Sequence, residues 1–158
     1  MWDIRLEWVL HTKGISIDAD VREHNGFSSL TSNKHAFMKD FYGNDLRFFE
    51  QRTGNVTFTK EWVGVRSQSI TVPKGRYAVT FKYSVLFNEG TYFARIFSGN
   101  NEIGSETKVA NIYYNLKGTL TAIVAVNEST NLHGEIGSGQ SSVIGKKCDY
   151  VLTIAKIA

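Results

Sequence analysis

The segment VPKGRYAVTFKYSVLF, from Val72 to Phe87, alternates large apolar side chains with small or polar ones after a Pro/Gly turn. In a β-strand successive side chains point to opposite faces, so this period of two predicts a long strand with one buried face. The side predicted to be buried carries Tyr77, Val79, Phe81, Tyr83, Val85 and Phe87. The other side, predicted to meet solvent or a soluble ligand, carries Ala78, Thr80, Lys82, Ser84 and Leu86.

Other segments of strand character follow at short intervals, separated by turns rich in Gly, Asn and Ser. No apolar stripe of helical period is long enough to cover a sheet, so each sheet is expected to pack on another sheet. We therefore predict an all-β fold, a two-sheet antiparallel β-sandwich with jelly-roll topology. Strands are predicted at 55–58, 61–72, 76–87, 91–98, 108–116, 119–127 and 149–157, with less regular ones near 5–10 and 46–51.

Three segments are predicted not to be strands. SNKHAFMKDF, residues 32–41, has the character of a short helix capped by Ser32 or Asn33. GEIGSGQSSVIGKK, residues 134–147, is predicted to be a flexible loop, and LKG, residues 116–118, a turn. The glycine-rich segment does not match a phosphate-binding loop, because five residues separate Gly139 from Gly145 and Lys147 occupies the Ser/Thr position.

The length and composition indicate a single domain. With 158 residues and 42% hydrophobic content, residues 1–158 can bury one sizeable core. Because MWDIRLEW opens directly in an apparent strand and lacks the regions of a signal peptide, we expect the chain to be a piece of a longer protein. The single cysteine, Cys148, is predicted to be a buried, inert thiol.

The charge pattern does not indicate nucleic acid or membrane as a partner. The formal net charge is +3, and the Lys and Arg residues are scattered, with no run longer than residues 146–147. No apolar run approaches the length of a membrane span, so no membrane insertion is expected.

No motif for catalysis is complete. The HGE tripeptide at residues 133–135 matches part of the zinc-deaminase motif, but a chain with one cysteine cannot supply the Cys-x-x-Cys that completes it. The nucleophile motif Gly-x-Ser-x-Gly is absent, and the glutamates that a glycosidase would need fall mostly in or beside turns. We therefore expect this protein not to be an enzyme.

Two segments carry a resemblance to a known family. They are RSQSITVPKGRYAVTFKYSV and KKCDYVLTIAKIA, and the matching positions are Ile70, Val72, Gly75, Tyr77, Thr80, Phe81 and Asp149. This pattern resembles the jelly-roll carbohydrate-binding modules of the cellulose-, xylan- and glucan-binding superfamily, although the usual beginning N-L-(L)-x-N-(G/P)-x-F is missing. The resemblance implies non-catalytic binding of a polysaccharide. Many relatives bind a structural calcium, which Asp149 with Asp3 or Glu7 could hold here; no other cofactor is implied.

Similar modules occur in tail and baseplate proteins of phages that infect Gram-positive bacteria. The cysteine-poor and proline-poor chain resembles the accessory baseplate proteins of lactococcal siphophages. The resemblance implies a place in the virion, a host cell-surface polysaccharide as ligand, and other baseplate or tail proteins as partners. An extracellular location is the alternative.

A sugar-binding surface needs aromatic rings for the C–H faces of the sugar and polar groups for its hydroxyls. Lys82 is expected on such a surface, and Arg95 could bind a phosphate or carboxylate group if its side of the strand faces the ligand. Rings are expected from neighbouring strands, although each of the candidate rings could equally be a core ring. The candidates are Trp62, Tyr92, Tyr113 and Tyr114.

Two other functions are compatible with the sequence. A structural or assembly domain, such as a trimeric head of the tumour-necrosis-factor or C1q type, would use similar G-x-Y-x-F/V strands to pack on neighbouring chains. A single-stranded nucleic-acid binder would need a basic and aromatic face, which the scattered charges do not suggest.

Overall fold

A computed structural model describes residues 16–17, 27–39, 46–58, 63–87, 90–110, 114–138 and 143–157. This part of the chain forms eleven strands and contains no helix, and therefore no helix with the length and apolar character needed to cross a membrane. The strands are β1 (Ser16–Ile17), β2 (Phe27–Lys39), β3 (Leu46–Phe58), β4 (Val63–Arg66), β5 (Ile70–Val72), β6 (Gly75–Phe87), β7 (Gly90–Ser98), β8 (Asn101–Ala110), β9 (Tyr114–Val126), β10 (Thr130–Ser138) and β11 (Val143–Lys156).

The strands form two sheets that pack face to face. The six-stranded sheet has the order β1-β5-β10-β7-β8, with β4 also paired to β10, and the five-stranded sheet has the order β2-β3-β11-β6-β9. Every described strand pairing is antiparallel, and most neighbours within a sheet are distant in sequence. The predicted fold class, a two-sheet antiparallel sandwich of jelly-roll type, is confirmed.

The alternation that predicts β6 is confirmed by burial. Its inward side chains from Tyr77 to Val85 are each at most 4% exposed, whereas Lys82 on the opposite side is exposed. The β11 strand alternates in the same way, and its Cys148 is completely buried, as predicted. Burial raises the pKa of the Cys148 thiol, and the neighbouring Asp149 carboxylate adds to the rise. The core between the sheets is completed mainly by Ile70, Val72, Ile96, Leu132, Ile136, Leu152 and Ile154.

A close approach between the sheets requires glycine at position 134. A Cβ atom on Gly134 would lie 2.7 Å from the nearest atom of the Phe81 ring, which is closer than real Cβ contacts. The same glycine binds the segment between β4 and β5, because its N–H donates to Ser67 Oγ at 2.8 Å and its carbonyl accepts from Ser67 N at 2.9 Å. The absence of a side chain therefore lets β10 pack directly on the ring from β6.

A buried polar network links the two sheets around Glu50, which is completely buried. Its carboxylate accepts hydrogen bonds from Arg52 Nε at 2.9 Å, Gln68 N at 3.0 Å and Tyr150 Oη at 2.8 Å. Arg52 is itself only 1% exposed. Since β3 and β11 belong to the five-stranded sheet and Gln68 precedes β5 of the other, this carboxylate connects both layers.

Several predictions of local structure are wrong. The predicted helix 32–41 lies mostly in β2, because this segment pairs with β3 along almost its whole length and long-range pairing outweighs local helix propensity. The predicted loop 134–147 contains the end of β10 and the start of β11, and the predicted turn 116–118 lies inside β9. The predicted strand 61–72 is interrupted at 67–69, and the predicted strand 108–116 spans the end of β8 and the beginning of β9.

Candidate functional site

The solvent-facing side of the five-stranded sheet, which we call the polar face, collects hydrogen-bonding side chains from four strands. Strand register places them in two neighbouring cross-strand rows. One row runs Gln51, Val151, Lys82 and Thr119, and the next runs Thr53, Asp149, Ser84 and Lys117. Adjacent strands lie about 4.8 Å apart, so each row is about 14 Å wide.

These rows form an open depression of about 590 Å³. Its outward lining residues are Gln51, Lys82, Ser84, Lys117, Thr119, Asp149 and Val151. Tyr83, Gly118 and Tyr150 also line it, but the two tyrosine rings are buried at 4% and 1% exposure, so the sheet backbone forms the floor. A site on adjacent strands is more rigid than one built on loops.

The floor of the depression is supported by a hydrogen bond beneath β9. Tyr83 Oη donates to Glu106 Oε1 at 2.6 Å, and a Cβ atom on Gly118 would collide with both groups. Glycine at this position therefore allows Glu106 of the six-stranded sheet to reach Tyr83 of the five-stranded one. Burial raises the pKa of Tyr83, and the hydrogen bond to the Glu106 carboxylate raises it further.

The charged groups of the depression are available to a ligand. Lys82 and Lys117 are exposed and Asp149 is half-buried. Among the described residues, none of these three takes part in an ion pair. Lysine offers three donors, a carboxylate only accepts, and Ser, Thr and Gln can do both. The depression can therefore hydrogen-bond the hydroxyl groups of a sugar in either direction.

The structure separates the predicted site residues. Lys82 lies on the polar face as expected, together with Thr80 and Ser84. The prediction of a solvent-facing ring at Tyr92 is wrong: it is 2% exposed, because its side of β7 also carries Ala94 and Ile96 and faces the core. Trp62 and Tyr113 lie outside the described residues, and Tyr114 is the first residue of β9, where it pairs with Phe87.

Arg95 lies on the other outer face of the sandwich, that of the six-stranded sheet. There it forms an ion pair with Glu102, with 3.0 Å between Nε and Oε1. The same face carries a second charged cluster, in which Glu135 Oε2 is 2.7 Å from His133 Nε2 and 3.2 Å from Arg66 Nη2. The two described arginines of this face, Arg66 and Arg95, are thus matched by carboxylates, unlike Lys82 and Lys117.

The predicted calcium site lies partly outside the described residues. Asp149 lies in the middle of the polar face, and Asp3 and Glu7 lie outside the described residues. Within the described part of the chain no three His, Cys, Asp or Glu side chains are grouped so that they could hold a metal ion.

Sequence reasoning missed Gln51, Lys117 and Thr119 as members of the site. Each reaches the depression only through the register between strands that are distant in sequence. Lys117 and Gly118 were moreover predicted to form a turn, whereas they lie inside β9. The outward alternation of local sequence identifies Lys82, but no local pattern could identify its neighbours across the sheet.

No family model matches the chain, and no curated protein matches it in sequence. Solved structures match it at low identity. The globular domain of zebrafish complement 1qA protein has a TM-score of 0.48 at 16% identity, over 67% of this chain and 96% of that one. The PRD1 vertex protein P5 has a TM-score of 0.44 at 16% identity, over 85% and 91%.

A β-1,3-glucan binding CBM6 from Bacillus halodurans has a TM-score of 0.36 at 8% identity, over 88% of this chain and 93% of that one. Cyclases from Fischerella sp. are also among the matched structures.

Proposed function

We propose that this protein is a non-catalytic carbohydrate-binding module and that the depression on the polar face is its ligand site. The observation that supports this most directly is the pair of cross-strand rows, which offer donors and acceptors side by side on an open, rigid sheet. Hydroxyl groups of a polysaccharide would exchange their hydrogen bonds to water for bonds to Gln51, Ser84 and Thr119. Such a shallow site would bind an extended polymer and not enclose a small molecule.

The proposed interaction is dominated by hydrogen bonds and not by stacking. Among the described side chains of the polar face, the one aromatic ring is that of Phe49, half-buried in the row next to Gln51 and paired with Thr153. Each net hydrogen bond to a neutral group contributes about 0.5–1.5 kcal/mol. A site with a few such bonds would be weak alone, with a Kd on the order of micromolar to millimolar, and would gain strength from several copies on one particle.

The proposed biological setting is host recognition by a phage tail or baseplate, with a host cell-surface polysaccharide as ligand. This setting is carried by the sequence resemblance to accessory baseplate modules. In this proposed setting the protein belongs to the virion and is attached to other tail or baseplate proteins. An extracellular location is the alternative.

The test is binding of the folded chain, displayed in several copies on a particle, to a panel of cell-wall polysaccharides. The double variant Gln51→Ala/Thr119→Ala removes side chains from the depression without changing charge, and we expect binding to weaken about 5-fold to 100-fold. Thr107→Ala is the matched control, because Thr107 is exposed on the opposite outer face. Absence of binding by the multivalent form, or equal loss in the control, would contradict the proposal.

The second candidate function is that of an assembly domain that packs on neighbouring chains. It is supported by Val109 and Ile123, which are 62% and 58% exposed on β8 and β9, the edge strands at one side of the sandwich. Exposed apolar residues on edge strands favour association with another chain. Light scattering distinguishes the two functions: a stable trimer that Ile123→Asp dissociates supports assembly, whereas a monomer supports the carbohydrate-binding module.

A further inference from the structure

The polar face gathers cationic side chains that are scattered along the sequence. Six cationic side chains project from it, and each is exposed. They are Lys34, Arg47, Arg76, Lys82, Lys117 and Lys147, placed on this face by the pairings of all five strands. Asp149 is the one acidic side chain on the described part of this face.

The described side chains of this face, six cations and one carboxylate, therefore carry a net charge of +5. None of the six cations forms an ion pair with a described residue. On the opposite outer face, by contrast, Arg66 and Arg95 lie within 3.2 Å and 3.0 Å of carboxylate oxygens. Among the described residues, the unpaired cations are thus gathered mainly on one face.

From this charge distribution we infer that the ligand of the polar face is an anionic polysaccharide, a sugar polymer that carries phosphate or carboxylate groups. The inference rests on the proposed function and specifies its ligand class. Exposed ammonium and guanidinium groups attract such a polymer over about 10 Å at 0.1 M salt. Lys82 and Lys117 are diagonal neighbours on β6 and β9, so one acidic group can contact both.

Two observations favour an anionic glycan over nucleic acid. Single strands are bound by stacking of successive bases on aromatic rings, and Phe49 is the one ring among the described side chains of this face. Asp149 also lies in the middle of the depression, where its carboxylate would repel the densely charged phosphate backbone of a nucleic acid. In an acidic polysaccharide the charged groups are more widely spaced, and the hydroxyl groups between them can donate hydrogen bonds to Asp149. The polar face therefore fits a polymer with both hydroxyl groups and moderate negative charge.

The experiment measures binding of the folded chain to four immobilised polymers. They are a glycerol-phosphate teichoic acid, a polyuronic acid, a neutral glucan and single-stranded DNA, each at low and high salt. We expect both acidic glycans to bind more tightly than the neutral glucan, with an affinity that falls as salt rises. Comparison of the teichoic acid with the polyuronic acid shows whether phosphate or carboxylate groups are preferred.

Charge variants locate the binding surface. Lys82→Gln/Lys117→Gln should weaken binding of the acidic glycan about 2-fold to 30-fold at low salt, because each exposed charge contact contributes modestly. The matched control, Lys74→Gln/Lys108→Gln, removes the same charge outside the polar face: Lys74 lies in the β5–β6 turn, and Lys108 is 3.9 Å from Glu106. It should bind like the parent.

The outcomes separate the two proposals. Equal binding of neutral and acidic glycans, with loss in the Gln51→Ala/Thr119→Ala variant, would overturn the anionic ligand class and leave the carbohydrate-binding function intact. No binding to any glycan would overturn both. Tighter binding to DNA than to the acidic glycans would overturn the inference in favour of nucleic acid.

Discussion

Removal of the Glu50 carboxylate should strongly destabilise this sandwich, because the group is completely buried and accepts three hydrogen bonds. We consider Glu50→Gln, which preserves the shape of the side chain and removes its charge. The amide keeps one oxygen for Gln68 N and Tyr150 Oη, but it places an NH2 group opposite Arg52 Nε, which is also a donor. The Arg52 guanidinium, 1% exposed, would then be buried without a counter-charge.

The expected loss follows from that burial. Removing one partner of a buried ion pair costs about 3–5 kcal/mol, because the remaining charge has neither water nor a partner. A domain of this size is stable by about 5–15 kcal/mol, so the variant should fold but lose a large part of its stability. Tyr150→Phe removes one of the three bonds to the carboxylate and should cost less, about 1.5–3 kcal/mol.

Urea unfolding followed by circular dichroism measures these free energies. Glu128→Gln is the control, since Glu128 is exposed and its replacement should change stability by less than about 0.5 kcal/mol. The double variant Glu50→Gln/Arg52→Gln removes the uncompensated charge and should recover about 0.5–3 kcal/mol relative to the sum of the two single losses. A loss below about 1 kcal/mol for Glu50→Gln, with no recovery in the double variant, would refute this account of the network.

Three further predictions concern packing, pH and metal. Gly134→Ala should lower the free energy of unfolding by about 1–3 kcal/mol, because its Cβ would lie 2.7 Å from the Phe81 ring. Gly104→Ala is the control and should be tolerated in the same urea assay, because its Cβ would meet Ala122 at 3.6 Å. Equal stability of the two variants would contradict this prediction. Burial raises the pKa of Tyr77, Tyr83, Tyr92 and Tyr150, that of Tyr92 to about 12. The free energy of unfolding that these tyrosines contribute should therefore be fully present below about pH 10, where unfolded tyrosines begin to ionise, and should be lost at higher pH. In an alkaline titration, phenolate absorbance should rise as the circular dichroism signal is lost. Ionisation of all tyrosines before unfolding would contradict this prediction. If Asp149 contributes to a calcium site, calcium should raise the thermal midpoint of the chelator-treated protein, and Asp149→Asn should abolish that rise.

Those parts of the fold that depend on local alternation could be predicted from the sequence. The inward and outward sides of β6 follow from a period of two, and so does the position of Lys82. Alternation could not decide β7 in the same way, because TYFARIF has rings on both sides of the strand. The structure assigns Tyr92, Ala94 and Ile96 to the core, which leaves Arg95 on the outer face of the six-stranded sheet.

Those parts that depend on long-range contacts could not be predicted locally. In β2 the hydrogen bonds to β3 stabilise a strand in a segment whose residues also suit a helix. In β10 the glycines suggest a loop, yet Gly134 is there because the Phe81 ring leaves no room for a side chain. The depression requires the register of four strands at once, and that information is absent from any single segment.

Strand register also explains why the charge of the polar face is not visible along the chain. The six cations lie on five different strands and look scattered in sequence, but all of them point outward. A shift of one residue in any strand would turn its cations into the core, where an unpaired charge is costly. Arg52 tests this reasoning: it is the one inward-pointing cation among the described residues of β3, and Glu50 lies beside it on the same buried side. The cations therefore help to specify the register that assembles the face, and an inward cation is tolerated where a carboxylate accompanies it.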